Sequence, residues 1–354
     1  MIQVKKHLRN IKRVDNYSDR SKYKLNLDRN ENIIGLSKFY QDKVAKYIFK
    51  KKLNHYPNLK SSYLILANFL KIHPDNLLFT EGVSGAIKNI MDSLDIKKNS
   101  EIIYPEPSFA LYNIYSKIYN VKSRTYGYDE CLKLEYDKIF QLVNKNTLIV
   151  FLPTPNIPIE GDIDLKKIKL FLKKLSKKNI ILALDEVYYP FGKQTYLSLI
   201  KKYNNLVVMR SFSKAYGLAG ARIGYMVSSK DNIKIFNTVK GGYETNILSA
   251  STAEFIIKNN HIVKDYVKSV KLGFKYLKRE LEKINLTLFG GINGNFALIQ
   301  FNKKNIAKVV YKKLVQNKIS VRYGFDKIFE NSILVTLGPL KEMKLFIKIL
   351  KKVI

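Results

Sequence analysis

Short apolar runs alternate along the chain with lysine-rich amphipathic segments. The runs span residues 77–80, 101–104, 148–152, 180–184, 206–210 and 224–227. Continuous apolar runs bounded by polar residues are typical of parallel strands buried on both faces, and amphipathic segments between them are typical of helices that cover a sheet. The pattern therefore predicts an α/β fold with a mostly parallel, doubly wound sheet.

The same pattern indicates how the chain is divided into domains. We expect residues 36–245 to form a large domain, and residues 1–35 and 246–354 to form a smaller α/β domain that closes over the substrate. A functional site is then expected between the two. The first two dozen residues are rich in Lys, Arg, Asn and Asp, which favours a mobile amino-terminal arm.

Lys214 lies in the segment Arg-Ser-Phe-Ser-Lys-Ala-Tyr-Gly. A lysine serves an enzyme as a nucleophile only when its amine is deprotonated or joined to a carbonyl cofactor as an imine. Ser211 and Ser213 precede Lys214 and Arg222 follows it, so groups that bind anions converge beside the amine. An aldehyde cofactor with a phosphate, pyridoxal 5'-phosphate, fits this combination. The alternative is a basic loop with two serines on a solvated surface.

Two upstream segments add functional groups of the same kind. The apolar run 180–184 leads directly to Asp185, and parallel strands deliver functional groups at their carboxyl ends. Residues 77–87 predict a strand, a glycine turn and a helix, whose first backbone N–H groups, those of Val83 and Ser84, form a seat for an anion. Taken alone, the aspartate also fits a helix cap, and the turn also fits a simple serine N-cap.

With these motifs the chain resembles, over residues 25–350, the fold-type I pyridoxal-phosphate enzymes, and among them the aminotransferases that include histidinol-phosphate aminotransferase. The resemblance implies that residues 36–245 bind the cofactor and that Lys214 holds its aldehyde. It implies that Asp185 pairs with the pyridine nitrogen, so that the ring can accept electrons. It also implies that Tyr188 bonds the phenolic oxygen of the ring.

Three further segments extend the resemblance. Tyr112 ends the segment Tyr-Pro-Glu-Pro-Ser-Phe-Ala-Leu-Tyr, which implies an aromatic ring stacked on the cofactor. Tyr56 lies in Asn-His-Tyr-Pro, and the matching family tyrosine reaches across a homodimer interface to the cofactor phosphate of the other subunit. Asn32 and Gly35 lie in Asn-Glu-Asn-Ile-Ile-Gly, which implies a position at the mouth of the site and contact with the substrate.

The sequence departs from the family pattern in the loop that follows the run 148–152. The family segment Asn-Pro-Thr-Gly supplies an asparagine that bonds the phenolic oxygen of the cofactor. Here the loop reads Pro-Asn-Ile-Pro, with Ile157 in strict register and Asn156 one position early. Either the loop shifts so that Asn156 takes this role, or the hydrogen bond is missing; we expect the shift.

A larger departure concerns the substrate. Where the family reads Arg-x-Thr-x-Gly, with an arginine that grips an acidic group, this chain has Leu334. Arg322 matches a second family arginine, and we expect it to hold a phosphate or carboxylate alone. Ser84 and Gly85 stand where histidinol-phosphate aminotransferases tend to have an acidic pair, which argues against assigning that one reaction by name.

Composition changes this picture little. The net charge of +34, from 63 Lys plus Arg against 29 Asp plus Glu, raises the alternative of a nucleic-acid or membrane-surface protein. The lysines are spread along the chain and no nucleic-acid motif accompanies them, so we expect the positive electrostatic field to attract phosphorylated substrates instead.

One cysteine, Cys131, and four histidines predict neither disulfides nor a metal site. The lack of an apolar span or signal-peptide core predicts a cytoplasmic enzyme.

The sequence therefore favours a pyridoxal-phosphate-dependent aminotransferase that moves an amino group between an amino acid donor and a keto or phosphorylated small molecule. The first alternative is a decarboxylase of a phosphorylated amino acid, because Leu334 leaves a substrate carboxylate poorly paired. The second is a basic binding protein on an enzyme fold, against which the intact Lys214 and Asp185 speak.

Overall fold

The computed structural model describes residues 3, 5–13, 19–161, 163–192, 194–243, 245–302, 305–325 and 327–354. Its strands are β1 Leu25–Leu27, β2 Leu77–Thr80, β3 Glu101–Pro105, β4 Lys122–Tyr126, β5 Thr147–Pro153, β6 Ile181–Asp185, β7 Leu206–Ser211, β8 Gly224–Val227, β9 Thr287–Gly290, β10 Phe296–Gln300, β11 Ile319–Val321 and β12 Ser332–Thr336. Its α-helices are α1 Lys38–Ile48, α2 Lys60–Leu70, α3 Gly82–Ser93, α4 Leu111–Ile118, α5 Lys138–Leu142, α6 Leu165–Ser176, α7 Lys230–Val239, α8 Ile247–Lys258, α9 His261–Glu282, α10 Ile306–Gln316 and α11 Leu340–Val353. Short 3-10 helices span Lys6–Asn10, Pro74–Asn76, Leu197–Lys201, Ala219–Ala221 and Lys327–Phe329. Residues 1, 2, 4 and 14–18 of the predicted arm lie outside the described residues.

The main sheet has the strand order β2-β8-β7-β6-β5-β3-β4. Strand β8 runs antiparallel to both of its neighbours, β7 and β2. The other pairs, from β7 to β4, are parallel. The predicted α/β fold with a mostly parallel sheet is therefore confirmed.

Each of the six apolar runs of the sequence corresponds to a strand of this sheet, namely β2, β3, β5, β6, β7 and β8, and the run 180–184 begins one residue before β6. Their continuous apolar character has a simple cause, because both faces of the sheet are covered. In β6, Leu182 and Leu184 join the hydrophobic cluster on one face, and Ala183 joins the cluster on the other. The sequence pattern missed β4, an edge strand whose residues Lys-Ser-Arg-Thr-Tyr are mostly polar and partly exposed.

A second, smaller set of strands lies outside the main sheet. Strands β12, β10 and β9 form an antiparallel sheet, and β1 pairs in parallel with β11. Helices α9 and α11 pack against each other beside them. The amino-terminal strand is thus joined to the carboxyl-terminal part of the chain. The small domain of residues 1–35 and 246–354 stays a prediction.

The carboxylate of Glu160 connects the loop after β5 to the turn between β9 and β10. It accepts hydrogen bonds from the backbone N–H groups of Ile292, Asn293 and Gly294, with the shortest at 2.7 Å from Gly294. Burial raises the pKa of Glu160, and the backbone N–H groups oppose this effect. One side chain therefore ties the loop after β5 to the turn between β9 and β10.

In the described part of the chain, no helix is both long enough and apolar enough to cross a membrane. Within the same residues, no three His, Cys, Asp or Glu side chains are grouped so that they could hold a metal ion.

Candidate active site

The candidate site lies at one edge of the main sheet, where β6 and β7 end. Register brings Thr80 of β2, Gly224 of β8 and Ser211 of β7 side by side at this edge. The carboxyl ends of parallel strands meet at the same edge of a sheet, so Asp185, the last residue of β6, belongs to the same group. The chain then continues from β7 to Lys214.

The first turn of α3 forms a cradle for an anion. Gly82 has a φ of +69°, and a Cβ atom there would lie 3.3 Å from Nη2 of Arg222 and 3.9 Å from Oγ of Ser211. A Cβ on Gly224 would lie 2.7 Å from the Cα of Gly82, so both glycines are needed for this close approach. The space next to the guanidinium is thus kept open by the lack of side chains.

Donors from five residues converge on this cradle. The side chain of Glu81, the N-cap residue of α3, accepts no hydrogen bond from the first turn within the described residues, so the amides of Val83 and Ser84 are left for a ligand. Arg222 places Nη2 3.3 Å from the Ser84 hydroxyl. Ser213 donates its backbone N–H to Oγ of Ser211 at 3.0 Å, which aligns the two hydroxyls. The arrangement fits a phosphate group.

Asp185 is buried, with a relative exposure of 2%. Its carboxylate accepts hydrogen bonds from the Tyr112 hydroxyl at 2.7 Å and from the Val187 backbone N–H at 3.1 Å. Burial raises the pKa of Asp185 to about 6, although the bond from Tyr112 lowers it. A carboxylate in this environment favours a protonated, cationic partner.

Tyr112 lies at the site, but its contacts differ from those expected of a stacking ring. It is fully buried, and it stacks on Phe151 with 5.0 Å between ring centres, with Tyr104 at 5.8 Å. This geometry favours a hydrogen-bonding role for Tyr112, through Asp185. Phe109 packs edge-on against Tyr112 and is 38% exposed, so it has aromatic surface to offer a cofactor. The stacking role expected of Tyr112 stays a prediction, and the structure adds Phe109 of the same segment as a second candidate for that role.

Lys214 extends its amine towards the amino-terminal segment. Its Nζ donates to the backbone carbonyl of Arg29 at 2.8 Å and lies 5.9 Å from the ring centre of Tyr188. Burial lowers the pKa of Lys214 to about 8, and the nearby carboxylates of Glu31 and Asp185 oppose this effect. A larger fraction of the amine is therefore neutral near pH 7 than in an exposed lysine, as a nucleophile requires.

Tyr188 is held by a residue that the sequence analysis did not select. Its hydroxyl accepts a 2.8 Å hydrogen bond from Nδ2 of Asn30, which is buried. Asn32, chosen from the same motif, instead uses Oδ1 to accept from the backbone N–H groups of Ile34 and Gly35. The motif does not distinguish Asn30 from Asn32, and only the tertiary contact with Tyr188 identifies Asn30.

Asn156 is fully buried with its amide already occupied. Its Oδ1 accepts from the Ser108 hydroxyl at 2.6 Å, and its Nδ2 donates to the Pro107 carbonyl at 3.0 Å and to the Tyr128 hydroxyl at 2.7 Å. Both amide hydrogens are used, so these contacts do not support the expected bond to a ring oxygen. They fix the segment that leads to Phe109.

Arg322 and Leu334 lie opposite each other in an antiparallel bridge. Opposed residues in such a pair project to the same face, so an apolar side chain stands beside the guanidinium. Among the described residues, Arg322 forms no ion pair, and its burial lowers its own pKa. It is close enough to Tyr188 for its charge to lower the pKa of that phenol. A partly buried cation that lacks an ion pair is typical of an anion-binding group.

Comparisons with known proteins agree with this geometry. The family model of aminotransferase class I and II matches residues 24–350. The chain is 31% identical to a histidinol-phosphate aminotransferase of Clostridium novyi (strain NT), over 90% of this chain and 88% of the relative. It is 30% identical to a protein of that name from Caldanaerobacter subterraneus subsp. tengcongensis, over 93% of each.

Among solved structures, the fold is similar to that of histidinol-phosphate aminotransferase from Sinorhizobium meliloti in complex with pyridoxal 5'-phosphate. The TM-score is 0.89 with 17% sequence identity, over 100% of this chain and 99% of that one. The phosphate cradle, the buried aspartate and the lysine of lowered pKa are the groups that this cofactor needs. The chain therefore belongs to the aminotransferase class I and II family, as a pyridoxal-phosphate-dependent aminotransferase of fold type I.

Proposed function

We propose that this aminotransferase transfers an amino group between an amino acid and a phosphorylated small molecule, as the name of its relatives, histidinol-phosphate aminotransferase, describes for them. The observation that carries the proposal is Arg322, a partly buried guanidinium that forms no ion pair within the described residues. A phosphate monoester from the substrate would supply the missing anion. Leu334 beside it offers no second cation, so a substrate with one anionic group fits best.

The cofactor phosphate would be held by the backbone N–H groups of Val83 and Ser84, by the hydroxyls of Ser211 and Ser213, and by Arg222. The glycine at position 82 supports this assignment, because any side chain there would fill the cradle. When bound, pyridoxal 5'-phosphate supplies a carbonyl that reacts with amines and a ring that accepts electrons.

Asp185 would pair with the ring nitrogen of the cofactor. Its carboxylate is buried and is oriented by the Tyr112 hydroxyl, so it favours a proton on that nitrogen. Phe109 would cover one face of the ring. The hydroxyl oxygen of Tyr188 already accepts a hydrogen bond from Asn30. Tyr188 would therefore donate its hydroxyl hydrogen to the ring oxygen of the cofactor.

Lys214 would bind the cofactor covalently and, once released by the incoming amine, would move a proton at the α carbon of the substrate. Both roles need a neutral amine, which the lowered pKa of about 8 favours. Asn32 and Gly35 would line the entrance. Asn32 lies close to the lysine segment, because a Cβ on Gly217 would be 3.0 Å from its Nδ2.

Decarboxylation of a phosphorylated amino acid is the second candidate. Leu334 favours it, because a carboxylate that lacks a cationic partner at the site is more easily lost. Arg322 would then hold the substrate phosphate in the same way. The two candidates differ only in the bond that breaks at the α carbon.

We also propose a cytoplasmic homodimer in which Tyr56 reaches the cofactor phosphate of the other subunit. Tyr56 is 81% exposed and stacks on Tyr243 with 4.7 Å between ring centres. Helices α1, α2 and α8, with the loops next to them, carry further exposed apolar side chains, namely Phe39, Phe49, Leu53, Leu64 and Leu248. Such a concentration is typical of a protein interface.

The visible absorbance spectrum of the purified protein tests the proposal. Addition of L-glutamate, and then of a series of phosphorylated amines and amino acids, should convert the band of the lysine-bound cofactor to that of its aminated form with at least one donor. Lys214→Ala should lose the covalent linkage, and Lys214→Arg controls for the charge. Release of carbon dioxide without formation of the aminated cofactor would establish the decarboxylase instead.

A further inference from the structure

Asn30 makes contacts that its motif does not explain. It is 5% exposed and has a φ of +53°, a left-handed conformation that asparagine tolerates better than most residues. Its Nδ2 donates to the Tyr188 hydroxyl at 2.8 Å. Its backbone carbonyl accepts from Nδ2 of Asn295 at 3.2 Å. The residue is therefore held firmly between the amino-terminal segment and the small antiparallel sheet.

The Thr336 hydroxyl determines which way the Asn30 amide points. Its Oγ1 accepts the backbone N–H of Asn30 at 2.9 Å and lies 3.3 Å from Oδ1 of Asn30. The hydroxyl hydrogen of Thr336 is then the donor to Oδ1, because a carbonyl oxygen can only accept. With Oδ1 fixed on Thr336, the N–H group must face Tyr188.

A phenol has one hydrogen to donate. Since the oxygen of Tyr188 accepts from Asn30, its own hydrogen is left to donate to another partner. The amine of Lys214 lies 5.9 Å from the Tyr188 ring centre. The neighbouring Arg29 carbonyl accepts from that amine at 2.8 Å, so residues 29 and 30 contact both groups.

We propose that Asn30, oriented by Thr336, is a positioning residue that makes Tyr188 a hydrogen-bond donor to the ring oxygen of the cofactor. The inference rests on the role of Tyr188 in the proposed function. A donor to that oxygen stabilises its anionic form, and loss of the donor should raise the pH at which the visible band of the loaded protein titrates.

Asn30→Asp is the sharpest test. The substitution keeps the shape, the tolerance of positive φ and the acceptor for Thr336, but it replaces the N–H donor with an acceptor. The Tyr188 hydrogen would turn towards the introduced carboxylate. We expect the titration midpoint to rise as it does in Tyr188→Phe, and kcat to fall by roughly tenfold, the value of one hydrogen bond.

A double-mutant cycle separates positioning from general damage. If Asn30 acts through Tyr188, adding Asn30→Asp to a Tyr188→Phe protein should leave the pH midpoint of the visible band almost unchanged. It should change kcat by less than about twofold. Asn179→Asp is the matched control, because Asn179 is exposed, has a φ of +57° and lies far along the chain, before β6. It should leave the midpoint and kcat unchanged.

The outcomes are distinct. A Tyr188→Phe protein with an unchanged midpoint would refute the proposed role of Tyr188. A shift in Tyr188→Phe without a shift in Asn30→Asp, or effects of the two that simply add, would overturn the role of Asn30. If Asn30→Asp does not fold, as judged by its thermal midpoint, Thr336→Val decides, since it removes the partner that orients the amide and should give the same shift.

Discussion

Arg322 and Leu334 exchange two backbone hydrogen bonds, of 3.0 and 2.8 Å, and so present a cation and an apolar side chain on one face of the site. In the proposed function, Arg322 alone holds an anionic group of the substrate. A second cation at position 334 would change which substrates are held.

Leu334→Arg should therefore widen the choice of amino donor. A second guanidinium can grip an α-carboxylate in a bidentate contact worth about 1.5–3 kcal/mol. We expect KM for amino acid donors to fall by roughly tenfold or more, measured by initial rates over a series of donors. Leu334→Met keeps the volume without the charge and should keep the original preference. An unchanged KM in a folded Leu334→Arg protein would contradict this account of specificity.

Gly82→Ala should weaken cofactor binding. The added methyl group would lie 3.3 Å from Arg222 Nη2, at a φ of +69° that also strains an alanine. We expect the Kd for pyridoxal 5'-phosphate, measured by equilibrium dialysis, to rise by about tenfold or more. Gly220→Ala is the control, because a Cβ there meets nothing within 4 Å. Equal affinities for both variants would show that the cradle does not hold the phosphate.

Lys214→Met should stabilise the cofactor-free protein at pH 7. Burial lowers the pKa of Lys214 to about 8 from its ordinary value of 10.5. Below pH 8 the amine is charged in the folded and the unfolded state, and its buried charge destabilises the folded state. Between pH 8 and 10.5 the unfolded chain binds more protons, and stability rises with pH. Thermal unfolding over this range should show the rise in the natural chain and its loss in Lys214→Met. A parallel pH dependence of the two proteins would contradict the lowered pKa.

Glu160→Gln should destabilise the fold. The carboxylate accepts three backbone N–H groups, and the amide nitrogen introduced by glutamine would face some of them as a second donor. We expect a loss of about 2 kcal/mol in the free energy of unfolding, measured with urea. Glu282→Gln, on the exposed side of α9, should lose little. Loss of stability in both variants alike would point to net charge as the cause.

The sequence was sufficient to predict the elements whose pattern depends on burial alone. Strands covered on both faces are continuously apolar, so β5 and β6 were evident, whereas the half-exposed edge strand β4 was not. Lys214 and Asp185 were found because their roles depend on residues close to them in the chain. Their roles still rest on the proposed function.

Residues that act through distant contacts could not be found in this way. Asn30 bonds Tyr188 across 158 positions, and Glu160 bonds Asn293 across 133. Phe109 and Tyr112 are two aromatic residues of one segment, and the structure leaves Phe109 exposed and buries Tyr112. Nothing in the local pattern of residues distinguishes these cases, because the distinction arises when separate segments pack together.

The antiparallel strand β8 has a consequence for insertions and deletions. It closes a hairpin with β7 in which Ser211 pairs with Gly224, and both Lys214 and Arg222 lie in the loop between them. The spacing of the amine and the guanidinium is thus set by the length of one loop. A lengthened or shortened loop would move the amine of Lys214 relative to the guanidinium of Arg222 even if every residue were retained, so the length of this loop should matter as much as the identity of its residues.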